Sequence, residues 1–569
     1  MQKKSSKKTP RIIFNNDGGT LFQPFVPLTD LPFTVENFSQ ETIGYLRNTQ
    51  VDVLSWTLGA DTWPMPDIQG PGRASNMYCH QTDVGERFYA LEPPFQSKSW
   101  RLLASRVKEM ISAGNDPPRV LIEHGHKSGL DVFCAFRMND SHDGRIVEKA
   151  HLGFTGTKIS MRRPVWQNGQ FIEENIRGYI CKFKREHPEL LIGEHEALTR
   201  LCSIAFDYSH QTVRDFRLAL IEEACQKYDI DGIELDFLRH PIYFKPGQEQ
   251  ANMDLMTELI SKVRSVLDRI GQSRGKYLTL AVRTLVPLEA SRSVGLDVEA
   301  WLQAGFLDVL IGGVEERNQL QLSDVVQVAH AHNCSVAASI RTDSLRDYGP
   351  EAFRAIAANH YRAGVDGLYL FNMTALRYKR GKPGFGPGYD FQPLREIGSF
   401  EEIQFQNKRY FLDDKGAGHR INPIGFDEWS QSMQDHLLRS EVGTTMDKPQ
   451  LPIRLEAGKD ATIHFTIADD PDEAQVHNLI LDVVIRMSIS DLTGGIRLVG
   501  MALNGDLLSK HTLSDEVSDV LEVPVDVSLL RCGANVLTLS LVPEDAGVIS
   551  ELRLNNVEII VEYHNGQEK

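Results

Sequence analysis

The stretch YDIDGIELDFLRHP, residues 228–241, places Glu234 and Asp236 two residues apart in a run that otherwise reads as a buried strand: Ile230, Ile233, Leu235, Phe237. A carboxylate buried without a partner is costly, so such groups are paired, hydrogen-bonded or at a wet site. Side chains two apart on a strand share a face. Two neighbouring carboxyls push one pKa up, leaving one group able to give a proton while the other stays ionised. Glycoside hydrolysis asks for this division of labour around an oxocarbenium-like transition state. Asp231, before Gly232, falls at the opposite end of the run and reads as structural, as does Asp366 before Gly367.

Other strand-like runs also turn polar at their C-terminal ends. The first ends in Asn15, Asn16 and Asp17, and the third in Arg137, Asn139, Asp140 and His142. The fourth adds Arg239 and His240, the fifth Arg283, the sixth Glu315 and Glu316, the seventh Arg341 and Asp343, and the eighth Asn372. We assign Asp236 as nucleophile or base, with Glu234, Glu315 and Glu316 as the candidate acids. Glu315 or Glu316 is favoured, because acid and nucleophile must flank the scissile bond and Glu234 shares a face with Asp236. Asp17, Arg137, Asn139, Asp140, His142, Arg239, His240, Arg283 and Asn372 are the expected substrate binders, joined by Asp207 and His210 of FDYSH (206–210). The Arg and His set suggests a densely polar or acidic sugar, uronic or sulfated. His142 or His240 as a base would instead make a lyase or epimerase. No H-x-x-x-H or H-E-x-x-H spacing occurs, so neither a metal nor another cofactor is expected.

What must position these groups is a set of eight apolar runs: 11–19, 51–59, 130–140, 230–237, 277–285, 307–314, 334–343 and 365–373. Amphipathic stretches separate them. One, 256–270, repeats Met256, Leu259, Ile260, Val263, Leu267 and Ile270, and another, 211–228, aligns Val213, Phe216, Leu220 and Ala224. Apolar strands alternating with such helices read as a parallel sheet, and eight is the number that closes a (β/α)8 TIM barrel with its chemistry at the strands' C-terminal ends. The expected organisation is a mobile tail over 1–10, the barrel over 11–410 with a long insertion at 141–200, and a connector over 411–444. Residues 445–569, with short alternating runs such as ATIHFTIAD and NVEIIVEY, read as a C-terminal antiparallel β-sandwich.

Composition narrows the partners. The chain has 569 residues, a net charge of −16 and 41% hydrophobic residues. Its acidity argues against nucleic acid, and it contains no apolar run of the ~18 residues that span a membrane. Seven cysteines, an odd number with no C-x-x-C, read as buried free thiols. The basic start lacks an apolar signal core, which fits a cytoplasmic protein as given, or a periplasmic or secreted one if a signal was removed. A homo-oligomer stays open.

FDYSHQTVRDFRLALIEEACQKYDIDGIELDFLRHP (206–241), with GLDVFCAFRMND upstream and GLDVEAWLQAGFLDVLIGG (295–313) downstream, resembles the glycosyl-hydrolase-like ten family. The resemblance covers about residues 11–400. It implies a glycosidase-type barrel acting on carbohydrate, with Asp236 at the strand-four nucleophile position and an accessory β-domain behind. Two departures are plain. Arg283 and Thr284 stand where an amylase-type enzyme carries its acid, and Leu238 stands where the chitinase motif D-G-x-D-x-D-x-E carries its glutamate. A glycan-binding barrel that has lost catalysis is therefore the alternative.

Overall fold

A computed structural model of the chain describes residues 9–18, 32–59, 77–90, 98–141, 146–147, 161–162, 165–167, 170–172, 180–195, 202–238, 240–313, 320, 322–342, 349–371, 373, 391–413, 450–456, 458–490, 497–513, 520–541 and 552–566. The eight apolar runs are eight parallel strands: β1 Ile12–Asn16, β2 Val51–Thr57, β3 Asp131–Arg137, β4 Gly232–Asp236, β5 Thr279–Leu285, β6 Val309–Gly313, β7 Ser335–Arg341 and β8 Gly367–Phe371. Each pairs with its neighbours in sequence, and β8 closes on β1 with Tyr369 opposite Ile13. Strands buried on both faces tolerate apolar residues at every position, which is why they read as continuous runs. Alternate residues point inward, and Ile13, Val53, Phe133, Ala281, Val309, Ile311, Ala337, Tyr369 and Phe371 fill the barrel.

Helices α1 (Val35–Ile43), α2 (Lys98–Ser112), α3 (Pro117–Lys127), α4 (Gln211–Lys227), α5 (Glu249–Arg274), α6 (Val298–Gln303) and α7 (Ser323–Ala331) lie between the strands in sequence. The expected stripe of α5 is the buried one, Met256 through Ile270, and the helix ends on Gly275 at φ 65°, a left-handed position that glycine takes without strain. In α4 Val213, Leu220 and Ala224 are buried as expected.

The strand starts carry a repeated device. Asp52 accepts the Arg11 N–H at 2.8 Å. Asp231 accepts that of Val132 at 2.8 Å, Asp308 that of Leu280 at 2.9 Å, and Asp366 that of Val336 at 2.7 Å. Each carboxylate also meets a further group: the Arg11 side chain, His126 and Lys276, Arg264, and His330 respectively. Asp231 and Asp366 are thus structural, as their place before glycine suggested. Burial alone would raise the pKa of Asp231, but Lys276, the Val132 N–H and His126 together hold it below the ordinary value. Gly232 follows because a Cβ there would lie 2.7 Å from the Thr279 carbonyl oxygen.

The chain divides into two compact units, and residues 344–364, 392–420 and 447–569 make the second. It holds two antiparallel sheets. One orders β9 (Lys408–Asp413), β17 (Leu552–Asn565), β12 (Leu479–Ser490) and β15 (Val520–Val525), with β10 (Ile453–Leu455) also on β17. The other orders β11 (Asp460–Ile467), β16 (Gly533–Leu541), β13 (Arg497–Leu503) and β14 (Asp506–Leu513). Their apolar faces, among them Ile463, Phe465, Ile485, Met487, Leu537, Leu539 and Ile559, form one cluster. β11 alternates buried and exposed residues along its whole length.

The C-terminal sheet begins earlier than the sequence suggests. β9 starts at Lys408, inside the stretch assigned to the barrel, and runs into the stretch assigned to the connector. Lys408 is the reason: buried, it pairs with Asp469 at 2.8 Å, and that carboxylate also accepts from Tyr410 and Tyr563, each at 2.6 Å. The helix Pro350–Arg362, between β7 and β8 in sequence, also belongs to the second unit. Among the described residues no helix is long and apolar enough to cross a membrane. Cys79, Cys134, Cys181, Cys225 and Cys334 are buried free thiols, whereas Cys532 is exposed.

Candidate active site

Glu234 and Asp236 follow Gly232 on the inward face of β4, Glu234 one layer deeper in the barrel. Glu234 is fully buried. Its Oε1 accepts from the Tyr369 hydroxyl at 2.7 Å, and its Oε2 accepts from the Ser55 hydroxyl. Burial, and then the neighbouring Asp236 charge, push its pKa from 4.5 to about 7, against the pull of Ser55, Tyr369 and Arg283. Asp236 accepts from Arg283 Nη1 at 3.2–3.3 Å and from the Leu238 N–H at 2.9 Å. The Arg283 guanidinium lies 4.2 Å from the Phe371 ring centre and 5.2 Å from that of Tyr369. The pair therefore holds its two carboxyls in unlike settings. One is enclosed by hydroxyls at the barrel centre, and the other is ion-paired at the strand end.

Arg137, next to Asp236 in the β3–β4 register, anchors a second group. Its Nη2 lies 2.8 Å from Asp17 Oδ1, and its Nη1 donates to Asp140 Oδ2 at 2.9 Å. The Asp140 carboxylate is also 3.6 Å from His240 Nδ1. His240 sits at φ 52° and is fully buried. The Ser141 N–H donates to its Nδ1 at 2.9 Å, which leaves the ring proton on Nε2. With that lone pair occupied, His240 is poorly disposed to take a proton from a substrate.

Asn139 is brought to the same region, but its amide is engaged by the backbone. It donates to the carbonyls of Phe206 (3.0 Å) and Ile242 and accepts the Phe206 N–H at 2.9 Å. It fastens the segments before α4 and after β4 to the end of β3. Tyr208, which donates to the Met138 carbonyl, and Tyr243, which donates to the Phe237 carbonyl, fasten the same segments. Asp207 is buried and accepts the Ser209 N–H at 3.0 Å, opening α4. His210 and Lys245 each lie 3.8 Å from its Oδ2.

The structure thus groups Asp17, Arg137, Asp140, Glu234, Asp236, His240 and Arg283, with Asn139 and Asp207 in the surrounding frame. Glu315, Glu316, His142, Arg239 and Asn372 lie outside the described residues. Sequence reasoning missed Ser55 and Tyr369. Their signal was period two: Ser55 is two residues from Val53 and Tyr369 two from Phe371, both interior, so a polar side chain there faces the barrel centre. Among the described residues no group of three or more His, Cys, Asp or Glu side chains is placed to hold a metal ion.

No family model matches the chain. Among curated proteins it is similar to the valine–tRNA ligase of Bacillus licheniformis, 24% identical over 265 residues, which is 44% of this chain and 28% of the ligase. The chain thus spans little more than a quarter of that relative. Solved structures with similarity include the cycloisomaltooligosaccharide glucanotransferase of a Paenibacillus species (10% identity, 96% of this chain and 57% of that one, TM-score 0.26). Another is the PgaB (BpsB) glycoside hydrolase domain of Bordetella bronchiseptica (8% identity, 64% and 93%, TM-score 0.31). A third is the glycoside hydrolase family 18 N-acetylglucosaminidase of Paenibacillus barengoltzii (11% identity, 58% and 68%, TM-score 0.26). Scores this low give no residue correspondence, and the functional reading rests on side-chain geometry.

Proposed function

We propose that the barrel is a glycoside hydrolase. The observation that carries this reading is the unlike carboxyl pair on β4, Glu234 raised to about 7 beside an Asp236 ion-paired with Arg283. Paired carboxyls at the C-terminal end of a barrel strand suit the oxocarbenium-like transition state of glycosidic cleavage. Asp236, at the strand end, acts as nucleophile or base. Glu234, enclosed by Ser55 and Tyr369, is out of reach of a leaving-group oxygen and tunes its neighbour. The acid we assign is Glu315 or Glu316, which follow β6 in sequence, two strands on from β4, because acid and nucleophile must flank the bond. The two antiparallel sheets of the second unit serve as an accessory β-sandwich.

One observation favours a second reading, a glycan-binding barrel without turnover: the end of β5 supplies Arg283, which neutralises Asp236, where a second acid is the alternative. The test is reducing-end release from a broad polysaccharide panel by wild type and Asp236→Asn. A hydrolase loses nearly all turnover in the variant while still binding sugar, because the charge goes and the shape stays. Wild-type protein that binds glycans and releases no ends would leave the binding barrel as the answer.

A further inference from the structure

The end of β1 sets two buried asparagines side by side, and their surroundings differ. Asn16 Oδ1 accepts the Gly18 N–H at 3.0 Å, which shapes the turn after the strand. Asn15 stands two residues beyond the interior Ile13, so it faces into the barrel. It is 2% exposed, and its Oδ1 has no hydrogen-bond partner among the described residues. A buried polar atom left unmatched is costly, and folded proteins keep few of them.

The neighbours of Asn15 explain why they do not supply that partner. In register it lies opposite Ser55, whose one hydroxyl hydrogen is given to Glu234. On the other side Ile13 lies opposite Tyr369, and Phe371, two residues further along the same inward face, has no side-chain donor. Each neighbour leads to the carboxyl pair in one further contact. Ser55 bonds Glu234, and the Phe371 ring lies 4.2 Å from the Arg283 guanidinium that holds Asp236. Asn15 thus belongs to the ring of side chains around the pair. Arg137 and Arg283 bring donor groups to the same mouth, and a sugar hydroxyl, which both gives and accepts hydrogens, suits such mixed surroundings.

We propose that Asn15 is a substrate-contacting, specificity-determining residue: its Oδ1 accepts the hydrogen of one hydroxyl on the sugar ring drawn to Asp236, and the barrel selects sugars that carry this hydroxyl. The inference rests on the glycan reading above and makes no demand on the charge of the rest of the sugar. A site with a buried acceptor committed to a substrate hydroxyl discriminates against the analogue that lacks it, because the acceptor is then left unmatched where water is excluded. In the free chain Asn15 Oδ1 makes no described bond, so its replacement by carbon removes none, and folding stability should hold.

The test takes the tightest wild-type binder from an array of linear oligosaccharides, with its set of monodeoxy analogues, into titration calorimetry. With wild type, one monodeoxy analogue should bind about tenfold more weakly than the parent. With Asn15→Leu, parent and that analogue should bind alike, both about as weakly as the analogue binds wild type, at a melting temperature no lower than wild type. Asn15→Ala, which adds no bulk, should give the same levelling. A parent-to-analogue ratio that both variants leave unchanged at every position would overturn the inference and leave the glycan reading standing. Variants that no longer fold would also overturn it, because Asn15 would then be holding the chain together. No wild-type binding anywhere on the array would remove the glycan reading, and this inference with it.

Discussion

Glu234→Gln should stabilise the barrel unit at neutral and alkaline pH and do so less at acid pH. In the folded protein the Glu234 pKa is about 7, while its ordinary value is 4.5. Between those values the unfolded chain gives up the proton that the folded chain keeps, so wild-type stability falls as pH rises through this window. One pKa unit corresponds to about 1.4 kcal/mol, so the full window is worth about 3 kcal/mol, present below pH ~4.5 and lost above pH ~7. Glutamine copies the protonated acid: it keeps one acceptor and one donor for the Ser55 and Tyr369 hydroxyls and has nothing to ionise. The stability difference between variant and wild type should therefore grow by about 3 kcal/mol from pH ~4.5 to ~8 and then level off. Urea unfolding followed by tryptophan emission is the assay. Trp56 and Trp301 are buried in the first unit, and their emission reports the barrel. A difference that stays constant across this pH range would refute an elevated Glu234 pKa, and with it the unlike pair on which the functional reading rests.

Two further outcomes follow from the frame around the site. Asp231→Ala removes the acceptor of the Val132 N–H and the partner of His126 and Lys276, and should cost about 2–4 kcal/mol in urea unfolding while leaving sugar affinity unchanged. Asn139→Ala strands the Phe206 N–H and the Phe206 and Ile242 carbonyls, and should cost about 3 kcal/mol. A variant that melts like wild type yet binds sugar poorly would return Asn139 to direct substrate contact.

All eight barrel strands were legible because parallel strands buried on both faces leave a local trace, an unbroken apolar run bounded by polar turns. The Glu234–Asp236 pair was legible for the complementary reason: acids inside such a run are conspicuous. What the acids touch was not. The Ser55–Glu234 bond joins residues 179 apart, and the Tyr369–Glu234 bond residues 135 apart. Barrel closure decides both contacts, and nothing in the neighbouring residues announces them. Residue type also did not show what Arg137 and Asn139 touch: the one lies between two carboxylates, and the other bonds the backbone of neighbouring loops. β9 was missed because KRYFLD has the texture of any short strand, and its partner β17 lies at the far end of the chain.

The four aspartates at the strand starts group the strands two by two. Asp52 ties β2 to the start of β1, Asp231 ties β4 to β3, Asp308 ties β6 to β5, and Asp366 ties β8 to β7. The barrel is in this sense built of quarters, each a β-α-β segment with its own fastening. Three of the four fastenings span 41, 28 and 30 residues of chain, and the second spans 99 because the long insertion falls inside it. Contacts this local form at small entropic cost, so three of the quarters can organise before the ring closes. The second quarter is the exception. It alone contains the longest loop and also carries Arg137, Glu234 and Asp236, so the strands that hold the chemistry belong to the quarter with the largest loop to close.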